Sequence, residues 1–448
     1  MTMRQLTKRH LTQAFVLLGL LAAASSSLWA GIVGQQQAVG GVSISAEGLI
    51  GAVDLAFQRE LQAEMSKALQ PVPSDLKQFS KLRKVSLRGL EAAIADHRSN
   101  SMDRLPQTIQ MLAGLQQVQY IFVYPELNDI VLAGPAEGWQ VNAQGEVVGA
   151  TTGKPVMRLD DLMTSLRYAR EGAVQCSIDP TEKGLASLRQ YASKIASGSN
   201  PQAVIGQIEE TLGAQVITVG GVPGGSHFAR VMVAADFRMK RLAMNFEQAD
   251  GIDLPSYLHL AQVQKSGLQN MLPRWWLAPK SAPIRTTADG MAWELRELAV
   301  ECKTEDDFLN ADGTRKHTGK AGSAAQKWAD SFTANYAELS KKQTIFADLR
   351  NLIDLAVVGA VIHKHNLLET AGLNAPRLMS EEEIDIYDVP RRVDSKASVL
   401  RRGKGWLISA SGGVQMVPEE LASTTEEDAA LTPIRKEAMA KDMNWWWD

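Results

Sequence analysis

The sequence predicts an α+β fold with a helical N-terminal region, a central mixed α/β domain containing antiparallel hairpins, long C-terminal helices and a charged tail. Three observations predict it. Apolar residues recur at helical spacing between residues 55 and 115, short alternating runs begin at Tyr120, and two long apolar-striped segments follow residue 321. The 448 residues, 45% hydrophobic and 22% charged, are ample for a core and for two or three domains. A formal charge of -3 offers no basic excess for a phosphate backbone, so nucleic acid is not an expected partner. The two cysteines exclude a disulfide scaffold and a Cys-rich zinc module.

Residues 1–30 read as a secretory signal. Arg4, Lys8 and Arg9 precede the apolar run Ala14–Ala24, and Ala30 is a small residue at the expected cut. The competing reading is an uncleaved membrane anchor, because no charge occurs between Arg9 and Glu47, although Gly34 and Gln35–Gln37 interrupt the run. The expectation is an exported protein, periplasmic or extracellular, that meets the membrane only if this segment is retained.

Residues 31–117 read as mostly helical. Asp54 precedes a helix carrying Leu55, Leu61, Met65 and Leu69, ended by Pro71 and Pro73. Ser86 opens a second with Leu87, Leu90 and Ile94, and Pro106–Leu115 is a third. The central domain, 118–372, starts with the strand-like runs YIFVY, DIVLAG, WQV and EVVGA. A helix from Asp160 to Arg170 follows, then a strand at 175–178, helices at 181–196 and 201–212, and the strand QVITV at 215–219. Phe228–Ala235 reads as an apolar strand, and Asp289–Gly290 as a hairpin turn between 284–286 and 291–295, with a further strand at 299–303. Ala321–Leu339 and Thr344–Leu368 read as helices, the second too short in apolar length to span a membrane. Residues 373–448 read as a charged tail with a short hairpin near 405–417 turning at Gly412–Gly413.

Phe228–Lys240 (FARVMVAADFRMK), Leu254–Tyr257 (LPSY), Arg274–Trp276 (RWW), Trp328–Tyr336 (WADSFTANY) and Phe346–Leu355 (FADLRNLIDL) together resemble the exported bacterial domain-of-unknown-function family 1598, over roughly residues 118–370. The resemblance implies an envelope location and a shared fold, and it carries over no activity.

The catalytic candidates are His227, Asp236, Arg238 and Lys240. A strand there puts Asp236, Arg238 and Lys240 on one face, where acid and cations suit a hydrolase or transferase; a solvated strand edge with one ion pair is the competing reading. Gly220–Ser226 and Gly313–Lys320 lack the spacing of nucleotide loops, and His363 and His365 lack helical metal spacing, so no cofactor and no metal site are expected. Arg274, Trp275 and Trp276, and the terminal Trp445, Trp446 and Trp447, are the binding candidates. Cys176 and Cys302 meet an oxidising compartment on export and are either bridged or buried thiols. With no nucleophile motif, the sequence favours a non-catalytic binding or structural role toward an envelope component or protein partner, with the Asp236/Arg238/Lys240 enzyme as the alternative.

Overall fold

A computed structural model describes residues 38–39, 42–45, 47–52, 55–101, 104–168, 172–196, 199–263, 271–280, 282–295, 299–380, 385–397, 411–439 and 446–447. The segment read as a leader, together with Asp54, Arg170, Trp406 and Trp445, lies outside these residues. The fold is α+β. Its centre is five strands, β1 (Val174–Asp179), β2 (Gln215–Gly220), β3 (Met271–Pro279), β4 (Val300–Leu309) and β5 (Ser411–Met416), which lie side by side in the order β2-β1-β5-β3-β4. All neighbours are antiparallel except β5 and β3, which are parallel. Beyond β2 the sheet continues through Arg392–Val393 to Leu49–Ala52, Val42–Ile44 and Ala38–Val39, and beyond β4 it ends at Arg315–His317. Chain from before residue 117 and from after residue 373 thus shares one sheet with the middle of the sequence.

A second sheet holds six strands, including the expected Asp289–Gly290 hairpin of Ile284–Thr286 with Ala292–Glu294, and Tyr120–Tyr124 paired with Asp129–Ala136. Trp139–Val141 and Val147–Gly149 pair separately.

Four helices position the site: α1 (Leu55–Ala68), α2 (Leu159–Arg167), α3 (His227–Ala243) and α4 (Thr344–Lys364). The segment read as the strand Phe228–Ala235 is the first half of α3. Ser226 caps it by accepting the Ala229 N–H at 3.1 Å, and one face packs on β1 and β5 while α2 and α4 cover others. A helix enclosed on several sides needs apolar residues all round, so Phe228 to Ala235 shows no 3.6 period. The helix α4 is likewise buried along nearly its whole length, and among the described residues no helix is long and apolar enough to cross a membrane. Ser86 caps its helix as expected, accepting from Gly89 N–H at 2.8 Å. The expected 106–115 helix is instead two short turns, because Leu112 and Ala113 take positive φ and redirect the chain.

Gly412 and Gly413 do not form a turn. They lie inside β5 between β1 and β3, with φ of 140° at Gly412. A Cβ on Gly412 would overlap the Trp275 carbonyl oxygen, and one on Gly413 the Cys176 carbonyl oxygen. Here the glycines serve close approach of backbones. Cys176 and Cys302 are free thiols. Cys176 pairs with Val414, Val414 with Leu277, and Leu277 with Cys302, so about 14 Å, three strand spacings, separates them. A disulfide allows about 7 Å.

Candidate functional site

The helical geometry of α3 separates the residues that a strand would have gathered. Asp236 and Lys240 are one turn apart and paired at 2.9 Å beneath the sheet, where Lys240 Nζ also donates to the carbonyls of Ile178 (2.6 Å) and Gly412 (3.2 Å). Arg238 points elsewhere and pairs with Glu247 at 2.5 Å, while Arg241 reaches the other oxygen of Glu247. Burial pushes the Asp236 carboxyl up to about 6, against the pull of Lys240. An apolar cavity of about 180 Å³ lies beside this pair, between Phe237, Met244 and the strand Leu49–Ala52, but the cations at its wall already have partners. These residues hold the fold together and do not form one concave site.

His227, at the first position of α3, lies two and a half turns from Asp236 and belongs to a different place. It lines a cleft of about 170 Å³ with Arg104 and Arg158, Glu146, Asp348 and Tyr387, together with the apolar Leu61 and Met65 from α1, Leu69 just after it, Met111 and Val147. His227 Nδ1 lies 2.9 and 3.1 Å from the two carboxylate oxygens of Asp161, in the first turn of α2, which hold the ring, and Nε2 has no hydrogen-bond partner among the described residues. Arg158, immediately before α2, donates to the Tyr387 hydroxyl at 2.8 Å and to Asp160 at 3.3 Å. Burial works against the Arg158 charge, but Tyr387, Asp160 and Asp161 more than offset it and hold the guanidinium protonated. Asp348, from the first turns of α4, is pushed well above the ordinary carboxyl range by burial, with Glu146 and Asp161 adding to the shift. A buried carboxyl with a raised proton affinity and an oriented imidazole therefore line one cleft.

Arg230 stands one turn after His227 on α3 and is fully buried. None of its three nitrogens has a hydrogen-bond partner, and its guanidinium lies 5.0 Å from the centre of the Tyr387 ring. Burial lowers it to about 10, with Tyr387 and Asp388 pulling the other way, so it remains a cation at neutral pH. A cation over an aromatic ring is worth about 0.5–2 kcal/mol, less than the several kcal/mol that a buried ion without its hydrogen bonds costs. Tyr387 is held over it by its N–H to the Gly225 carbonyl at 2.8 Å. Ser226 is not a nucleophile beside His227: its hydroxyl donates to the Pro223 carbonyl at 2.7 Å and caps α3.

The aromatic candidates divide. Trp275 is a core residue packed between Tyr257, edge-to-face, and Trp328, tilted, each 4.8 Å away between ring centres. Arg274 and Trp276 share the other face of β3, with Arg274 over the Trp276 ring and paired with Glu305 at 2.7 Å. The terminal cluster is not an exposed tag: Trp446 is buried against Gly89, its carbonyl accepts the Ser86 N–H at 2.8 Å, and Trp447 bridges to Val85. Glu305, Asp307 and His317 place ligand-type atoms within 4.8 Å of one another. His317 Nδ1 lies 2.7 Å from Asp307 and 3.3 Å from Glu305, and Arg274 completes an ion-pair network.

Comparison with family models decides how much of this belongs to a recognised family. Residues 176–257 match the family described as "Protein of unknown function (DUF1598)". The match is shorter than the 118–370 stretch expected from the sequence. It runs from β1 through the glycine loop and all of α3, so His227, Arg230, Asp236 and Lys240 fall in the DUF1598-like segment, and Arg158, Asp161, Asp348 and Tyr387 lie outside it. No curated protein and no solved structure gives a significant match.

The sequence singles out His227 as a candidate, but not Arg158, Asp161, Asp348 or Tyr387 as site residues. Asp161 is 66 positions from His227 and reads as an ordinary acidic residue opening a helix. Tyr387 sits in a segment read as a charged tail. Only the pairing of α2 with α3 across the fold brings these side chains together.

Proposed function

We propose that this is an exported binding protein of the cell envelope, and that the cleft at the N-terminus of α3 holds a small molecule without converting it. Export rests on the basic residues Arg4, Lys8 and Arg9 ahead of the apolar Ala14–Ala24. The observation that supports binding is convergence. His227, Arg158, Asp348 and Tyr387 come from four separate parts of the chain and line one concave site together with apolar side chains. Ion pairs scattered over a surface do not produce this arrangement. A lining that combines these polar groups with Leu61, Met65, Leu69, Met111 and Val147 suits a ligand with a polar head and a short apolar body. The Asp161–His227 pair orients the imidazole for recognition, and the neighbouring Ser226 hydroxyl is committed to the helix cap.

The test fills the cleft. Met65 is half-buried on α1 and lines the cleft, so Met65→Trp occupies the space while leaving the charged residues in place. Wild type and variant are incubated with the small-molecule fraction of an envelope extract, separated from unbound material by gel filtration, denatured and analysed by mass spectrometry. The proposal expects one or a few compounds retained by the wild type and lost from M65W. Equal retention by both, or none by either, contradicts it.

A further inference from the structure

We infer that the ligand of this cleft carries a single carboxylate, and that Arg230 is its receptor. The inference rests on the reading of the cleft as a ligand site and adds the chemical class of what binds. Of the cations in and behind the cleft wall discussed above, Arg158 pairs with Asp160 and Arg104 with Asp385, whereas the Arg230 nitrogens have no hydrogen-bond partner among the described residues. Its side chain is fully buried with three unbonded nitrogens, and its ring contact, Tyr387, also lines the cleft. Long helical side chains lean toward the helix N-terminus. That tendency turns Arg230 toward the N-terminal, positive dipole end of the 17-residue helix α3, where anions are favoured.

The charge balance selects the class of anion. The Arg230 guanidinium has no hydrogen-bonded anion, and the charges that act on it are those of Asp388 and of Arg158, which is itself paired with Asp160. A single negative charge satisfies Arg230, whereas a dianionic phosphate would bring its second charge into the field of Asp388. The planar fork of a guanidinium also matches a carboxylate through two parallel hydrogen bonds. The Tyr387 ring covers the guanidinium. The ligand carboxylate takes that position when Tyr387 swings aside, and the apolar body lies along Leu61, Met65 and Leu69.

Hexanoate is the probe, titrated into the full chain by isothermal calorimetry beside hexan-1-ol and hexyl phosphate. The inference expects hexanoate to bind, hexanol to bind at least tenfold more weakly, and hexyl phosphate to gain nothing over hexanoate. Arg230→Met, which keeps length and removes charge, is expected to lose roughly tenfold or more in hexanoate affinity, with Arg230→Lys intermediate. R230M is also expected to melt at a higher temperature than the wild type without ligand, because a buried uncompensated charge has been removed; a merely structural arginine would give the opposite sign. Equal binding of hexanol and hexanoate, or unchanged hexanoate binding by a folded R230M, overturns the carboxylate receptor while leaving the cleft as a binding site. Tighter hexyl phosphate binding overturns the single-charge argument. Absence of binding by all three probes, joined to no compound retained from extract, removes both readings together.

Discussion

The Lys240 ammonium lies 2.9 Å from Asp236 and at the same time reaches the carbonyls of Ile178 in β1 and Gly412 in β5. One side chain therefore fastens α3 to two adjacent strands that are 234 positions apart in sequence from Ile178 to Gly412. The carboxylate beside it is fully buried, and only Lys240 donates to it from a side chain.

That burial sets a pH dependence. The Asp236 carboxyl is raised from its ordinary 3.8 to about 6 in the folded chain. A raised folded value means that folding favours the protonated form, so this site's contribution is greatest below about pH 4 and is lost as pH rises through 6. The shift corresponds to about 3 kcal/mol. Urea unfolding at pH 4, 5, 6 and 7 is expected to show the stability of the wild type relative to Asp236→Asn falling by about that amount across the series. A difference between the two proteins that stays flat contradicts the assignment.

Gly412→Ala and Gly413→Ala are each expected to destabilise the chain severely, by about 4 kcal/mol or more, since either Cβ overlaps a carbonyl oxygen of a neighbouring central strand. Gly153→Ala, where no atom lies within 4 Å of the added Cβ and φ is 66°, is expected to cost only the backbone strain, about 1 kcal/mol. Chemical denaturation of the three variants ranks them, and equal losses at all three positions would refute the close packing of β5.

The same glycines mark where the sequence stops being legible. A Gly–Gly pair between alternating apolar residues reads as a hairpin turn, because turn glycines and close-packing glycines have the same local pattern. What separates them is the pair of strands on either side, and β1 and β3 are supplied from residues 174–179 and 271–279. The misreading of α3 has a related origin. Val231 and Val233 in an unbroken apolar run favour a strand on propensity, and the enclosure that makes such a run helical is tertiary. The Ser226 cap was the one local signal for the helix. A helix that buries a single face, such as Leu87–Asn100, keeps its periodicity, and the 284–294 hairpin carries its own Asp289–Gly290 turn signal, so both are legible in the sequence. The cleft was legible only in part: His227 stood out beside a glycine loop, while its partner Asp161 did not.

Cys176 and Cys302 are expected to behave as two buried thiols. Burial, with the Asp236 charge adding to it, pushes both above the usual thiol range, which leaves little reactive thiolate. The native chain should react slowly with a thiol reagent, yield two thiols after unfolding, and melt at the same temperature with and without reductant. An intact mass lowered by two hydrogens and restored by reductant would show a bridge instead.

The central claim is that a small molecule binds where α3 begins, and the imidazole of His227 reports on that place directly. Ring carbon-proton resonances of the chain's histidines, assigned with His227→Gln, are followed by nuclear magnetic resonance during a hexanoate titration at fixed pH and ionic strength. The account predicts that the His227 resonance moves saturably while those of His317 and His363, which lie elsewhere on the fold, stay in place. A His227 resonance that does not move, or histidines that all drift together without saturation, would contradict it.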